Sequence, residues 1–227
     1  MSNYEELAYQ CGFEIHDHSL YDLAFTHPSY NADARTKHQD YERLEYMGDA
    51  VLGFVSADLI FNLHPKMNQG LMTKLRSYLV KTKSLADYAR MISLADYIKT
   101  GHSIERNKIN ESNKILEDVF EAFIGAIYLD NGIEVAYRFI ESFLRDDVIN
   151  TSLDVLTDYK TKLQEEMQAE HRDSVKYVLT KTYGPPHDRT FEVDVTFNDI
   201  VLASGVGKTK KAAEEEAAKK ALSKRRV

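Results

Sequence analysis

The chain has 227 residues, 43% of them hydrophobic and 29% charged, with a formal net charge of −7. That length suits one large or two modest domains, each able to bury a core. A single cysteine, Cys11, excludes an internal disulfide, and no apolar run approaches the roughly 18–20 residues of a membrane span.

Met1-Ser2-Asn3-Tyr4-Glu5-Glu6 has neither the basic flank nor the apolar stretch of a secretion signal, so the expected location is the cytoplasm. The net charge conceals a division. Residues 1–150 carry 15 Lys+Arg against 23 Asp+Glu, whereas residues 151–227 carry 14 against 13 and end in Lys224, Arg225 and Arg226. An acidic half therefore precedes one that can approach phosphates.

In the first half, apolar spacing predicts helices over 3–11, 19–26, 40–63, 70–89, 111–130 and 132–148. The third contains Tyr41-Glu42-Arg43-Leu44-Glu45-Tyr46-Met47-Gly48-Asp49-Ala50-Val51-Leu52. Its carboxylates at 42, 45 and 49 fall within roughly 60° of one another around a helix. Leu44, Met47, Val51 and Val55 form the opposite, core-facing stripe. Like charges at this spacing cost a helix a few tenths of a kcal/mol per pair, so either a cation offsets them or water screens them. For this segment alone, a solvated acidic face is the competing reading.

The helix over 111–130 adds a second acidic pair, Asp118 and Glu121, on one face, with Leu116, Val119, Phe120 and Phe123 for packing. Two helices that turn such carboxylates inward make an all-oxygen site suited to Mg²⁺ or Mn²⁺.

The periodicity changes after Asn150. A helix over Asp158–Ala169 is followed by alternating strands at Val175–Thr180 and Phe191–Phe197, an Asn198-Asp199 hairpin turn and a third strand at Ile200–Val206. An alanine-rich helix over Lys210–Lys224 closes an α-β-β-β-α order. Gly205-Val206-Gly207-Lys208-Thr209 imitates the end of a nucleotide-binding loop, but Leu202 stands where the first glycine is required, so no nucleotide cofactor is expected.

The Glu42–Leu52 run, followed by Glu117-Asp118-Val119-Phe120-Glu121-Ala122, resembles ribonuclease III. Further matches are Thr26-His27-Pro28-Ser29-Tyr30 and the segment Gly70–Val80. The second half resembles the double-stranded-RNA-binding domain through Tyr159–Glu165, Tyr183-Gly184-Pro185-Pro186-His187 and Gly205–Glu214. The expected architecture is multidomain: an all-α nuclease domain over 1–150, a linker over 151–157, and a small α+β domain of αβββα order over 158–227.

The resemblance implies metal-dependent hydrolysis of phosphodiesters in double-stranded RNA, leaving 5′-phosphate and 3′-hydroxyl ends with short 3′ overhangs. Ribosomal RNA precursors and structured messages are the implied substrates. It assigns Mg²⁺, with Mn²⁺ as a substitute, to Glu45, Asp49, Asp118 and Glu121, and couples Asp49 and Glu121 most tightly to the chemical step. Glu42 is either a cleft or RNA contact, or a surface glutamate. Gln69 departs from the family's usual glutamate, which makes it a poorer metal partner and leaves it outside the metal set.

Tyr46 occupies the position of an aromatic residue at the family's two-fold interface, or is plain core; the resemblance favours a homodimer whose paired sites cut opposite strands. His27 reads as a capping or packing residue. In the second half, Thr161, Gln164, Glu165 and Gln168 share a helical face that can meet ribose hydroxyls, as can a loop bearing His187. Lys208, Lys210 and Lys211 surround a helix N-terminus suited to phosphates. Two rival readings are a non-catalytic duplex-RNA-binding regulator with the nuclease fold and a phosphohydrolase of small molecules.

Overall fold

A computed structural model describes residues 3–32, 39–152, 158–171, 174–186 and 188–225. The chain divides into two compact units, Met1–Leu156 and Thr157–Val227.

The first unit is helical: α1 (Asn3–Gln10), α2 (His18–Ala24), α3 (Glu42–Leu63), α4 (Gln69–Leu79), α5 (Thr82–Met91), α6 (Arg106–Ile109), α7 (Asn113–Asn131) and α8 (Ile133–Asn150), with 3₁₀ turns at Pro28–Ala32 and Leu94–Tyr97. Short polar side chains set several starts. Asp17 accepts from the Ser19 amide, Asn68 from the Leu71 amide and Ser112 from the Ile115 amide, each satisfying a free N–H of a first turn. Gly132, at φ +83°, joins α7 to α8 in a conformation that other residues adopt at a cost.

The helix expected over 70–89 is two helices. Val80 closes α4, and Lys81 is extended (φ −71°, ψ 152°) before α5 starts. The break lets two differently aimed apolar faces reach the core, Leu75 and Leu79 on α4 and Leu85, Ala86, Tyr88 and Ala89 on α5. The β-branched Val80 and Thr82 beside it are weak helix formers.

Helices α3 and α7 are the centre of this unit. Leu44, Val51 and Val55 of the expected α3 stripe are buried, and Leu52, Leu59 and Ile60 join them. All four apolar positions predicted on α7, Leu116, Val119, Phe120 and Phe123, are at most 1% exposed. Phe123 packs against Phe13, Tyr21, Phe25 and Phe139 at ring separations of 5.5–6.0 Å, tying the α1–α2 connection, α2 with its C-cap, and α8 to α7.

Two glycines set the closeness of the α3–α7 crossing. A Cβ on Gly48 would overlap the Glu121 carbonyl oxygen, and one on Gly125 would overlap that of Leu44. With only hydrogens there, the two backbones touch, and the acidic residues one turn away on each helix are drawn together.

The second unit has α9 (Tyr159–His171), β1 (Lys176–Tyr183), β2 (Thr190–Phe197), β3 (Ile200–Gly207) and α10 (Lys210–Arg225). Its antiparallel sheet has the order β1-β2-β3. Asn198 and Asp199 have φ of 48° and 61°, so the β2–β3 hairpin turns through two left-handed residues.

The alternation predicted for β2 holds, with Val193 and Val195 buried. In β1 a register shift between Leu179 and Lys181 leaves Leu179 41% exposed. Alanines Ala213, Ala217, Ala218 and Ala221 are buried, and a Cβ on Gly205 or Gly207 would overlap the α10 backbone. The small residues of the helix and strand thus serve one close β3–α10 contact. Leu163 and Met167 of α9 complete this core.

Candidate functional site

Glu45 on α3 and Asp118 and Glu121 on α7 converge beside the glycine crossing. One carboxylate oxygen from each lies within 4.8 Å of the others, close enough for their like charges to oppose one another. Asp118 is only 7% exposed; its Oδ2 accepts from the Tyr41 hydroxyl at 3.3 Å, while its buried Oδ1 receives no backbone or hydroxyl donor. Lys114, one turn earlier on α7, supplies charge instead. Its Nζ is 2.5 Å from Asp118 Oδ1, 3.5 Å from Glu117 Oε2 and 3.9 Å from Glu45 Oε1.

The crowding shows in proton affinity. Burial, then the charges of Asp49, Glu117 and Glu45, push the Glu121 carboxyl up to about 8. Burial and Asp118 also raise Glu45, and the adjacent carboxylates hold Lys114 protonated well above the ordinary range. A buried acid and two neighbouring carboxylates, with a cation already drawn to them, form an all-oxygen donor set that fits a hard divalent ion.

Asp49 lies outside this trio. It is exposed one turn beyond Glu45, and acts on Glu121 through charge. Glu42 is exposed at the start of α3 and lines a cavity of about 520 Å³ with Leu20, Leu23, Arg43, Met47 and Leu129. Gln69 lines a different cavity, with Ala57, Ile60, Phe61, Met72, Thr73 and Arg76. At about 1.5 Å of rise per residue, positions 57–61 of α3 lie roughly 18–24 Å beyond Glu45. Within one protomer, then, Gln69 is remote from the carboxylates.

His27 is structural. Its Nδ1 accepts from the Ser29 amide at 2.9 Å, and its ring meets the Tyr41 ring edge-on at a centroid separation of 5.5 Å. Tyr41 is in turn held by its amide on the Thr26 carbonyl at 3.0 Å. The Thr26–Tyr30 segment thus braces the tyrosine that touches Asp118.

Tyr46 is not core: it is 79% exposed and shares one face of α3 with Phe54 and Phe61, which are 58% and 66% exposed.

In the second unit, Thr161, Glu165 and Gln168 are exposed on one face of α9. Thr161 also closes the helix start, with its amide and hydroxyl both donating to Asp158. Gln164 shares their face but is partly buried, and its Oε1 accepts from the Val175 amide at 3.3 Å. Lys208, Lys210 and Lys211 are exposed around the start of α10, where Thr209 Oγ1 caps the Ala212 amide; Lys208 pairs with Asp188 at 2.6 Å. His187 lies outside the described residues.

Sequence reasoning missed Lys114, Tyr41 and the glycine pair. The i,i+4 spacing of Lys114 and Asp118 was the available signal for the first. Nothing local marks Tyr41 or the glycines, because their partners are about 77 residues away in the chain.

The family model described as Ribonuclease-III-like matches residues 17–148, and that of the double-stranded RNA binding motif matches 159–225. The chain is 40% identical over 218 residues to Ribonuclease 3 of Latilactobacillus sakei subsp. sakei (strain 23K), covering 96% of this chain and 95% of that protein. It is 39% identical over 223 residues to Ribonuclease 3 of Listeria monocytogenes serotype 4a (strain HCC23), covering 98% and 97%. Among solved structures, a nuclease domain of ribonuclease III from Campylobacter jejuni aligns with a TM-score of 0.56 at 38% identity, covering 62% of this chain and 98% of that one.

Proposed function

The chain belongs to the ribonuclease III family and is an endoribonuclease with a duplex-RNA-binding unit, and on that premise we propose how its own residues carry out the reaction. The domain division is nuclease over 1–150, linker over 151–157 and RNA-binding domain over 158–227. One observation carries the catalytic assignment: Glu45, Asp118 and Glu121 bring their oxygens within 4.8 Å of one another across a crossing that only glycine permits.

Those three residues would hold Mg²⁺, or Mn²⁺ in its place, with Asp49 as the remaining acidic residue at the exposed edge of the site. A divalent ion bound there lowers the pKa of a water and offsets charge on the scissile phosphate. Tyr41 orients Asp118 through its hydroxyl. Glu121, whose carboxyl is pushed up to about 8 by burial and its acidic neighbours, would have to lose its proton to serve as a ligand. Asp49 and Glu121 are the residues tied most closely to the chemical step, and Glu42 faces the cleft or the RNA.

The exposed rings of Tyr46, Phe54 and Phe61 form the core of a two-fold interface. The solved Campylobacter jejuni nuclease domain has a region involved in dimer formation, which supports this reading. Paired sites then cut opposite strands. In the second unit Thr161, Glu165 and Gln168 meet ribose hydroxyls, Gln164 holds α9 to the segment before β1 while its amide faces the RNA, and His187 contacts the groove. Lys208, Lys210 and Lys211 meet phosphates.

Products carry 5′-phosphate and 3′-hydroxyl ends with short 3′ overhangs, and ribosomal RNA precursors and structured messages are the cellular substrates. Analysis of product ends tests the chemistry. Phosphatase-sensitive 5′ ends and staggered cuts agree with it, whereas 3′-phosphate or cyclic-phosphate ends exclude a water nucleophile placed in this way.

A further inference from the structure

Lys114 is not among the residues to which the metal reading above gives a role, yet it makes the closest charged contact in the acidic cluster. Its ammonium lies 2.5 Å from Asp118 Oδ1, and it also reaches Glu117 and Glu45 at 3.5 and 3.9 Å. The contacts span both helices, since Glu45 belongs to α3 and the other two to α7. The lysine side chain is 67% exposed, while those of Asp118 and Glu117 are 10% and 14% exposed. A mobile cation on a four-carbon stem therefore rests on fixed, sheltered anions.

We propose that Lys114 is a built-in counter-cation of the acidic site, which competes with the divalent ion for the same oxygens and swings out to solvent when that ion binds. The inference rests on the metal reading above and deepens it. Asp118 Oδ1 is buried and meets the Lys114 ammonium at 2.5 Å, so the lysine occupies the place that a metal ion would take on that oxygen. An ammonium on that oxygen and a divalent ion about 2.1 Å from it would repel each other strongly. The exposed stem gives the ammonium an exit that needs no movement of the backbone.

The experiment is Mn²⁺ titration of the full chain, with free Mn²⁺ read by electron paramagnetic resonance. Asp118→Asn identifies the component of binding that depends on the cluster. Lys114→Met keeps the stem and the helix but removes the charge, and should tighten that component about tenfold, the factor for one positive charge held roughly 6 Å from a divalent ion in water-like screening. Lys114→Gln should behave like Lys114→Met, which guards against a packing effect peculiar to methionine. Lys114→Arg keeps the charge and should stay within about twofold of wild type, since the competition is one of charge.

Unchanged or weaker binding in both neutral variants would overturn the proposal while leaving the metal site intact. If wild type has no Asp118-dependent component at all, the metal reading fails and the proposal falls with it. The outcomes separate the two ideas because only the second removes binding from wild type.

Discussion

Gly48 of α3 and Gly125 of α7 approach so closely that a Cβ on Gly48 would stand 3.0 Å from the Gly125 nitrogen and inside the Glu121 carbonyl oxygen. The obstruction is backbone, so no side-chain rotation can relieve it. Gly48→Ala should therefore destabilise the nuclease unit by about 3 kcal/mol, at the upper end of ordinary overpacking. Because Glu121 is the residue displaced, cleavage should fall much further than duplex binding. Denaturant unfolding together with a binding assay measures both; a stable, fully active Gly48→Ala would show that the close crossing does not set the site.

The raised Glu121 carboxyl sets a pH dependence. Its folded value is about 8 against an ordinary 4.5, so the folded chain holds a proton that the unfolded chain has lost between those limits. Stability without metal should decline as pH rises through that window and level off above it. Glu121→Gln should remove most of the decline, which unfolding at a series of pH values in a chelator will reveal. Metal affinity should run the opposite way, rising by up to about tenfold per pH unit below pH 8 because the ion must displace the proton.

The exposed face of α3 predicts the oligomeric state. Tyr46→Glu places a charge among Tyr46, Phe54 and Phe61 and should convert a dimer into a folded monomer, since the ring is 79% exposed and supports no core. Sedimentation velocity distinguishes the two. A dimer that persists would move the interface elsewhere.

Lys210 and Lys211 lie exposed at the start of α10. Replacing both with alanine should weaken duplex binding and lower the slope of log affinity against log salt by about one for each phosphate no longer neutralised. An unchanged slope would remove them from the phosphate-binding set.

Much of this was legible in the sequence because it is local. The i,i+3 spacing of Asp118 and Glu121 puts both on one face of α7, and the period-two pattern of Phe191–Phe197 and the Asn198-Asp199 turn emerge as read. What escaped depends on distant partners. Val80-Lys81 interrupts a continuous helical pattern because two helices must face the core at different angles. Asp49 shares a face with Glu45 yet stays exposed, since it lies about 100° round the helix from the Gly48 contact, against about 60° for Glu45. Gln164 sits on the anticipated RNA face but also accepts from Val175, a role no helical wheel displays.

The carboxylates gathered at the α3–α7 crossing should carry out metal-dependent cleavage of duplex RNA. The most direct measurement compares wild type with Glu121→Gln on a labelled RNA duplex of two or more helical turns, in Mg²⁺ and in a chelator, alongside single-stranded RNA and duplex DNA. Staggered cuts are expected in duplex RNA alone, from wild type in Mg²⁺ alone, with duplex binding by Glu121→Gln nearly unchanged. Cleavage that survives in Glu121→Gln or in the chelator would contradict it, as would wild type that binds the duplex without cutting in either Mg²⁺ or Mn²⁺.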